Sequence, residues 1–242
     1  MNESSFNNFK GVPIRARILI GCAGIAGESE KWDDEKYDIT HVELDPKIAK
    51  VISDRKPNRK VIVGDAYDYL LKNYQDYDFI WFSPTCQANS RMIRGGKNRK
   101  PRFPDLRLYE LKIFFDYNFK GKYCIENVKP YYTPVIEPTA TIGRHLFWAN
   151  FDIKENFEIK QPTGFIKLGT VAGSEKLKEW LGISYEGNIY YNGNHDPCQV
   201  LRNCVHPDLG NHVFNCFEKA TERGQKIIKT ELENRTLSET GT

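Results

Sequence analysis

The 242-residue chain has no apolar run near the ~20 residues needed to cross a bilayer, so no membrane partner is expected. Its first ten residues, Met1 to Lys10, are polar and lack an apolar h-region. No secretory leader is therefore predicted, and a cytoplasmic setting is. Six cysteines, at 22, 86, 124, 198, 204 and 216, lack the spacing of a small disulfide scaffold, so reduced thiols are expected. Internal repeats and low-complexity tracts are missing as well. What remains is an ordinary globular composition, 40% hydrophobic and 28% charged, long enough for one large domain or one domain with a small appendage.

Net charge is only +3, which alone says little about partners. Its distribution says more. From Arg91 to Arg107, seven basic residues (Arg91, Arg94, Lys97, Arg99, Lys100, Arg102, Arg107) stand against one acid, Asp105, a local balance of +6. Such a run is often just a solvated face. Its density, beginning just after Cys86, favours a loop that contacts phosphates.

Short apolar runs alternate with helix-like stretches over the first 130 residues. Strands are predicted over Arg17–Ile20, Ile39–Leu44, Lys60–Val63, Tyr77–Phe82 and Lys122–Ile125. Helices are predicted over Pro46–Asp54, Tyr67–Asn73 and Leu106–Tyr117. This alternation argues for an α/β fold with a parallel sheet. Pro130 to Thr141, with three prolines, reads as loop, and Arg144–Ile153 as a strand or hairpin arm. The pattern weakens from Lys154 to about Val200, with one helix, Ser174–Leu181, suggesting an insertion or small second lobe. A helix-like run opens at Gly210-Asn211 and reaches about Leu232; the polar tail beyond it reads as disordered.

Ligands of an open parallel sheet bind beyond the carboxyl ends of its strands. Five segments fall there: Gly21-Cys22-Ala23-Gly24-Ile25-Ala26-Gly27, Glu43 with Asp45, Gly64-Asp65, Pro84-Thr85-Cys86-Gln87, and Glu126-Asn127-Val128. The glycine turn suits either a plain strand–helix connection or a nucleoside cofactor approaching a backbone cleared of Cβ atoms at Gly24 and Gly27. Glu43 follows Gly24 by 19 residues, near the offset of an acid that grips a ribose diol. Asp65 offers an acceptor for an adenine amino group. NAD and S-adenosylmethionine fit these features equally. Cys86 is either a small buried hydrophobe or a nucleophile whose pKa is depressed by the cations that follow it. Glu126 ends an apolar strand and is expected to be desolvated and poised to donate a proton.

In order along the chain, these segments resemble the C5-cytosine DNA methyltransferase family. Cys22-Ala23-Gly24-Ile25-Ala26-Gly27 is similar to its cofactor loop, Glu43-Leu44-Asp45 and Gly64-Asp65 to its second and third motifs, and Pro84-Thr85-Cys86-Gln87 to its Pro-Pro-Cys-Gln nucleophile motif. Glu126-Asn127-Val128 matches residue for residue, Arg144 resembles the last arginine of a basic motif, and Gly210-Asn211-His212-Val213 resembles a late Gly-Asn-Ser-Val motif. Departures are Thr85 for proline, Cys22 for an aromatic, Ile20 and Gly21 where an acid is usual, and His212 for serine. Only about 65 residues separate Arg144 from Gly210, shorter than the family's recognition region.

The resemblance implies a Rossmann-like, S-adenosylmethionine-dependent methyltransferase sheet with a small target-recognition insertion. Residues 1–153 and 205–242 would form the catalytic and cofactor-binding domain, and 154–204 the recognition region. Cys86, Glu126 and Arg144 would be catalytic. Cys22, Ala23, Gly24, Ile25, Gly27, Glu43, Leu44, Asp65, Ala66, Pro84, Asn211 and His212 would bind the cofactor. Gln87, Ser90 and the seven basic residues would bind double-stranded DNA. Restriction-modification, with a cognate endonuclease as partner, and a nucleoid-associated place in a bacterial or phage-infected cell belong to the same reading. Cys86 would add to C6 of a flipped-out cytosine while Glu126 protonates N3 and Arg144 binds the exocyclic oxygen and steadies Glu126. A tRNA cytosine-5-methyltransferase and a non-catalytic DNA-binding protein of the same fold are the rivals. His195, Cys198, Cys204 and His206 have no familiar finger spacing, so packing roles and no metal are expected.

Overall fold

The computed structural model describes residues 15–91, 103–191 and 195–222. Seven strands form one sheet: β1 (Ala16–Gly21), β2 (Tyr37–Glu43), β3 (Lys60–Val63), β4 (Phe79–Phe82), β5 (Lys122–Val128), β6 (Ala140–Ile142) and β7 (His145–Ala149). Their order is β3-β2-β1-β4-β5-β7-β6. The first five run parallel, as the βα alternation requires. The sheet is nonetheless mixed, because β7 is antiparallel to both neighbours. Gly143, at φ +57°, allows a two-residue hairpin between β6 and β7, which sends the chain back beside β5. The predicted loop before Thr141 thus contains the start of β6. Strand β4 begins at Phe79 rather than Tyr77, because the Asp78 carboxylate accepts from the Arg17 amide at 2.7 Å instead.

Helices α1 (Pro46–Arg55), α2 (Ala66–Asn73), α3 (Arg107–Asn118), α4 (Val171–Leu181) and α5 (Gln199–Asn203) connect these strands or follow them. Residues 207–222 are also helical and are called α6 here. This helix starts three residues before the predicted Gly210. Asp45 and Asp65 each accept two backbone N–H groups at the start of α1 and α2, which fixes where both helices begin.

Residues Ile18 to Ile20 and Phe79 to Phe82 are fully buried, as expected of central strands covered on both faces. Alternation divides them. Ile18, Ile20, Phe79 and Trp81 pack with Trp32 and, from α6, Phe214 and Phe217. Leu19, Ile80 and Phe82 pack on the other face with Leu70 of α2 and with Leu111 and Phe115 of α3.

No helix follows β1. Residues 22–36 form turns instead, tied down by the end of α1 and the residues after it. The Arg59 guanidinium donates to the carbonyls of Ser29 (3.0 Å) and Trp32 (3.0 Å), and Arg55 donates to the Ile25 carbonyl (2.7 Å). A third apolar cluster joins Leu177, Leu181, Ile183 and Leu201 to Ile25, Ile48 and Val51. It seats the segment predicted as an insertion against α1 and the first loop.

Candidate active site

The loops after β1, β2, β3, β4 and β5 open into one cleft of about 560 Å³. Cys22, Ala23 and Gly24 enter from β1, Glu43, Leu44 and Asp45 from β2, Asp65 and Ala66 from β3, Pro84 to Gln87 from β4, and Glu126 to Val128 from β5. Arg144, at the hairpin tip, and His145, at the head of β7, complete the far wall. Tyr191, Val200, Asn203, Cys204 and Val205 come from the segment after α4.

Glu43 is buried, and its two oxygens accept from the Gly24 amide (2.8 Å) and the Asp45 amide (3.0 Å). It therefore fastens the first loop to β2 as well as lining the cleft. Burial raises its pKa, and those amides oppose the shift. Both amides capped by Asp65 bond to Oδ1 (2.8 and 3.1 Å); Oδ2 takes part in neither bond. Leu44 is 69% exposed, an apolar side chain uncovered at the mouth of a polar cleft. A Cβ at Gly24 would meet no atom of the described residues within 4 Å, which leaves space beside it. These features suit a nucleoside: an apolar platform, a spare carboxylate oxygen and a bare backbone.

At the other end of the cleft, the Cys86 carbonyl accepts from the amides of Asn89 (3.0 Å) and Ser90 (2.9 Å), forming the turn that presents the thiol. Asn127 Nδ2 donates to the Pro84 carbonyl at 2.9 Å and joins this loop to β5. The expected depression of the Cys86 pKa is not found among the described residues. Burial raises it, the Glu126 charge raises it further, and Arg144 only partly opposes them. Glu126 is buried, with Oε1 2.6 Å from His145 Nδ1. Arg144 was expected to steady Glu126, but its Nη2 donates to the Arg202 carbonyl at 2.7 Å, and its guanidinium lies over the Phe165 ring. The buried Arg144 Nε has no hydrogen-bond partner among the described residues.

Four residues assigned to the cofactor lie outside the cleft lining. Ile25 is buried in the third cluster. A Cβ on Gly27 would sit 2.1 Å from Cys204 Sγ and 2.4 Å from the Val205 carbonyl, so this glycine admits neighbouring chain rather than a ligand. Asn211 and His212 belong to α6, where the His212 ring stacks on Phe157 and its Nε2 lies 2.7 Å from the Lys154 carbonyl. Of the residues assigned to DNA, Gln87 and Arg107 line the cleft. Arg107 pairs with Asp105 and covers the Tyr67 ring, so its charge is already partnered. Ser90 and Arg91 meet Pro130 at the base of the basic segment, Ser90 by a β-bridge and Arg91 by an Nε bond to the carbonyl (3.1 Å). Arg94, Lys97, Arg99, Lys100 and Arg102 lie outside the described residues.

Sequence reasoning missed Glu28, His145 and the contributions of Val200, Asn203, Cys204 and Val205. Glu28 carried no motif signal. Its Oε1 is buried without a partner among the described residues, and burial pushes its pKa up to about 8. Cys198 Sγ bonds to the Thr170 carbonyl and His206 packs on Trp180; among the described residues no cluster of His, Cys, Asp or Glu is set to hold a metal.

The strand order and the reversed β7 define an α/β, Rossmann-like fold of the methyltransferase type. No family model matches the chain, and no curated protein matches it. Solved structures that resemble part of it include an S-adenosylmethionine-dependent methyltransferase from Agrobacterium tumefaciens (13% identity over 49% of this chain and 40% of that one, TM-score 0.36). A Spodoptera frugiperda DNMT2 mutant shares 22% identity over 47% of this chain and 36% of that one, with a TM-score of 0.34. A glycopeptide N-methyltransferase, MtfA, complexed with S-adenosylhomocysteine shares 14% over 48% and 47%, with a TM-score of 0.32. The chain thus spans less than half the length of each. The fold assignment rests on the strand order, not on these overlaps.

Proposed function

We propose that this chain is an S-adenosylmethionine-dependent methyltransferase acting on C5 of cytosine in double-stranded DNA, through a covalent Cys86 intermediate. The observation that carries the reading is one cleft lined at one end by Gly24, Leu44 and Asp65 and at the other by Cys86, Glu126 and Arg144. Leu44, Asp65, Ala66 and the Gly24 backbone would hold the cofactor, which when bound supplies an activated methyl group. Cys86 is the nucleophile for C6. Glu126 presents a proton to N3, so that the ring accepts electrons from sulfur. Arg144, with an orphaned Nε, supplies a donor for the exocyclic oxygen. The basic segment after Ser90 supplies phosphate contacts that position without specifying sequence. Residues 154–204 serve target recognition, with Tyr191 and Asn203 reaching the cleft.

The test is transfer of labelled methyl from S-adenosylmethionine to duplex DNA and, in parallel, to tRNA. Incorporation into DNA is expected. Cys86→Ser is expected to keep cofactor binding and lose transfer, and a duplex containing 5-fluorocytosine is expected to trap the wild type covalently but not the variant. Preferential labelling of tRNA would move the substrate to RNA. Undiminished transfer by Cys86→Ser would remove the covalent step.

A further inference from the structure

His145 is the first residue of β7 and lies opposite Val128, while Glu126 lies opposite Phe147. His145 and Glu126 are therefore diagonal neighbours on one face of the sheet, which brings Nδ1 to within 2.6 Å of Oε1. Both side chains are buried and both line the cleft. The neighbouring arginine is directed elsewhere, to the Arg202 carbonyl and the Phe165 ring. Taking the proposed cytosine chemistry as given, we propose that His145 is a positioning residue that acts through Glu126, as the Nδ1–H tautomer donating to Oε1.

This tautomer fixes which carboxyl oxygen carries the acidic proton. With Oε1 accepting from imidazole, the proton resides on Oε2. As the thiolate electron pair forms the S–C6 bond, the C5–C6 π pair moves to C4–C5, and the C4–N3 π pair moves onto N3. N3 takes the proton from Oε2, and the O–H bonding pair stays on Glu126 as carboxylate charge. The imidazole N–H then donates to an anion rather than to a neutral carboxyl, and charge-assisted hydrogen bonds are about twice as strong. His145 thus stabilises the addition more than the ground state, so its contribution belongs in kcat rather than in KM.

The test compares substitutions that separate packing from hydrogen bonding. His145→Asn places an amide donor near the Nδ1 position; His145→Gln places one near Nε2; His145→Phe keeps an aromatic ring beside Phe147 and removes the donor. With labelled methyl transfer to duplex DNA, His145→Phe is expected to lower kcat by at least about tenfold with KM changed less than about threefold. His145→Asn is expected to recover most of that loss. If His145→Phe does not fold, His145→Gln takes its place, and the expected order is Asn above Gln. Equal or higher kcat for Phe than for Asn, or for Gln than for Asn, overturns the proposal while leaving the methyltransferase reading intact. No transfer by the wild-type chain to DNA or tRNA overturns both.

Discussion

Burial acts on three acidic groups of the cleft, Cys86, Glu43 and Glu28, in one direction, toward their neutral forms. Cys86 and Glu43 are raised, and Glu28 is raised to about 8, in each case chiefly because the charged form loses solvation. Glu28 allows the idea to be measured without substrate. Its pKa is far above the usual carboxylate range, so between the unfolded and folded values the native chain holds a proton that the unfolded chain has released. Stability therefore falls as pH rises through that window and is lowest above about 8. Between about pH 6.5 and 8 the expected loss is ~1–2 kcal/mol, at up to 1.36 kcal/mol per pH unit. His41, held neutral by burial, acts below this range and does not mask the trend. Glu28→Gln is expected to flatten the profile, and urea unfolding of both proteins across the interval measures the difference. A wild-type profile as flat as the variant's would show that Glu28 is ionised in the native cleft.

At the scale of elements, Gly27 separates two roles that look alike in sequence. A glycine in a loop after β1 reads as room for a cofactor, yet Gly27 meets Cys204 and the Val205 carbonyl where the chain passes from α5 to α6. Backbone on the far side cannot swing away, so Gly27→Ala is expected to cost about 1–3 kcal/mol of stability by overpacking. Once the lower stability is allowed for, S-adenosylmethionine affinity is expected to hold; calorimetric binding beside urea unfolding tests both. Weakened binding at unchanged stability would return Gly27 to the cofactor site. The same contrast explains what was legible. The five parallel strands carry short apolar runs, and the residues at and after their ends announce the cleft because their positions follow from the sheet alone. Glu28, His145 and Asn203 reach it through contacts that no local pattern encodes: an irregular loop braced by Arg55 and Arg59, a hairpin that reverses β7, and a short helix docked on α1. Asn211 and His212 misled for the converse reason, since a motif-like string was placed on a helix that packs elsewhere.

For the whole molecule, a net charge of +3 gives little long-range attraction to a polyanion, so the affinity for DNA that the proposed function requires would have to come from a local surface. The basic segment is that surface in the proposed function, and its ends are held in the fold. Asn89 Nδ2 donates to the Asp105 carbonyl (2.8 Å) and the Asp105 amide donates back to Asn89 Oδ1 (2.9 Å), on either side of residues 92–102. Arg107 is paired with Asp105, and the Arg91 guanidinium is tethered through Nε to the Pro130 carbonyl, so the first has its charge partnered and the second is held at the base of the segment. Phosphate contacts would then fall to Arg94, Lys97, Arg99, Lys100 and Arg102. Each phosphate neutralised releases about 0.9 of a counterion, so five contacts give log Kd a dependence on log salt of roughly 4–5. Replacing these five residues with glutamine is expected to remove most of that slope and to weaken binding alike on duplexes of different sequence, with cofactor affinity unchanged. Fluorescence anisotropy from 50 to 200 mM salt measures it. A slope that survives all five substitutions would move the phosphate-binding surface elsewhere, with the segment between α4 and α6 the next to be tested.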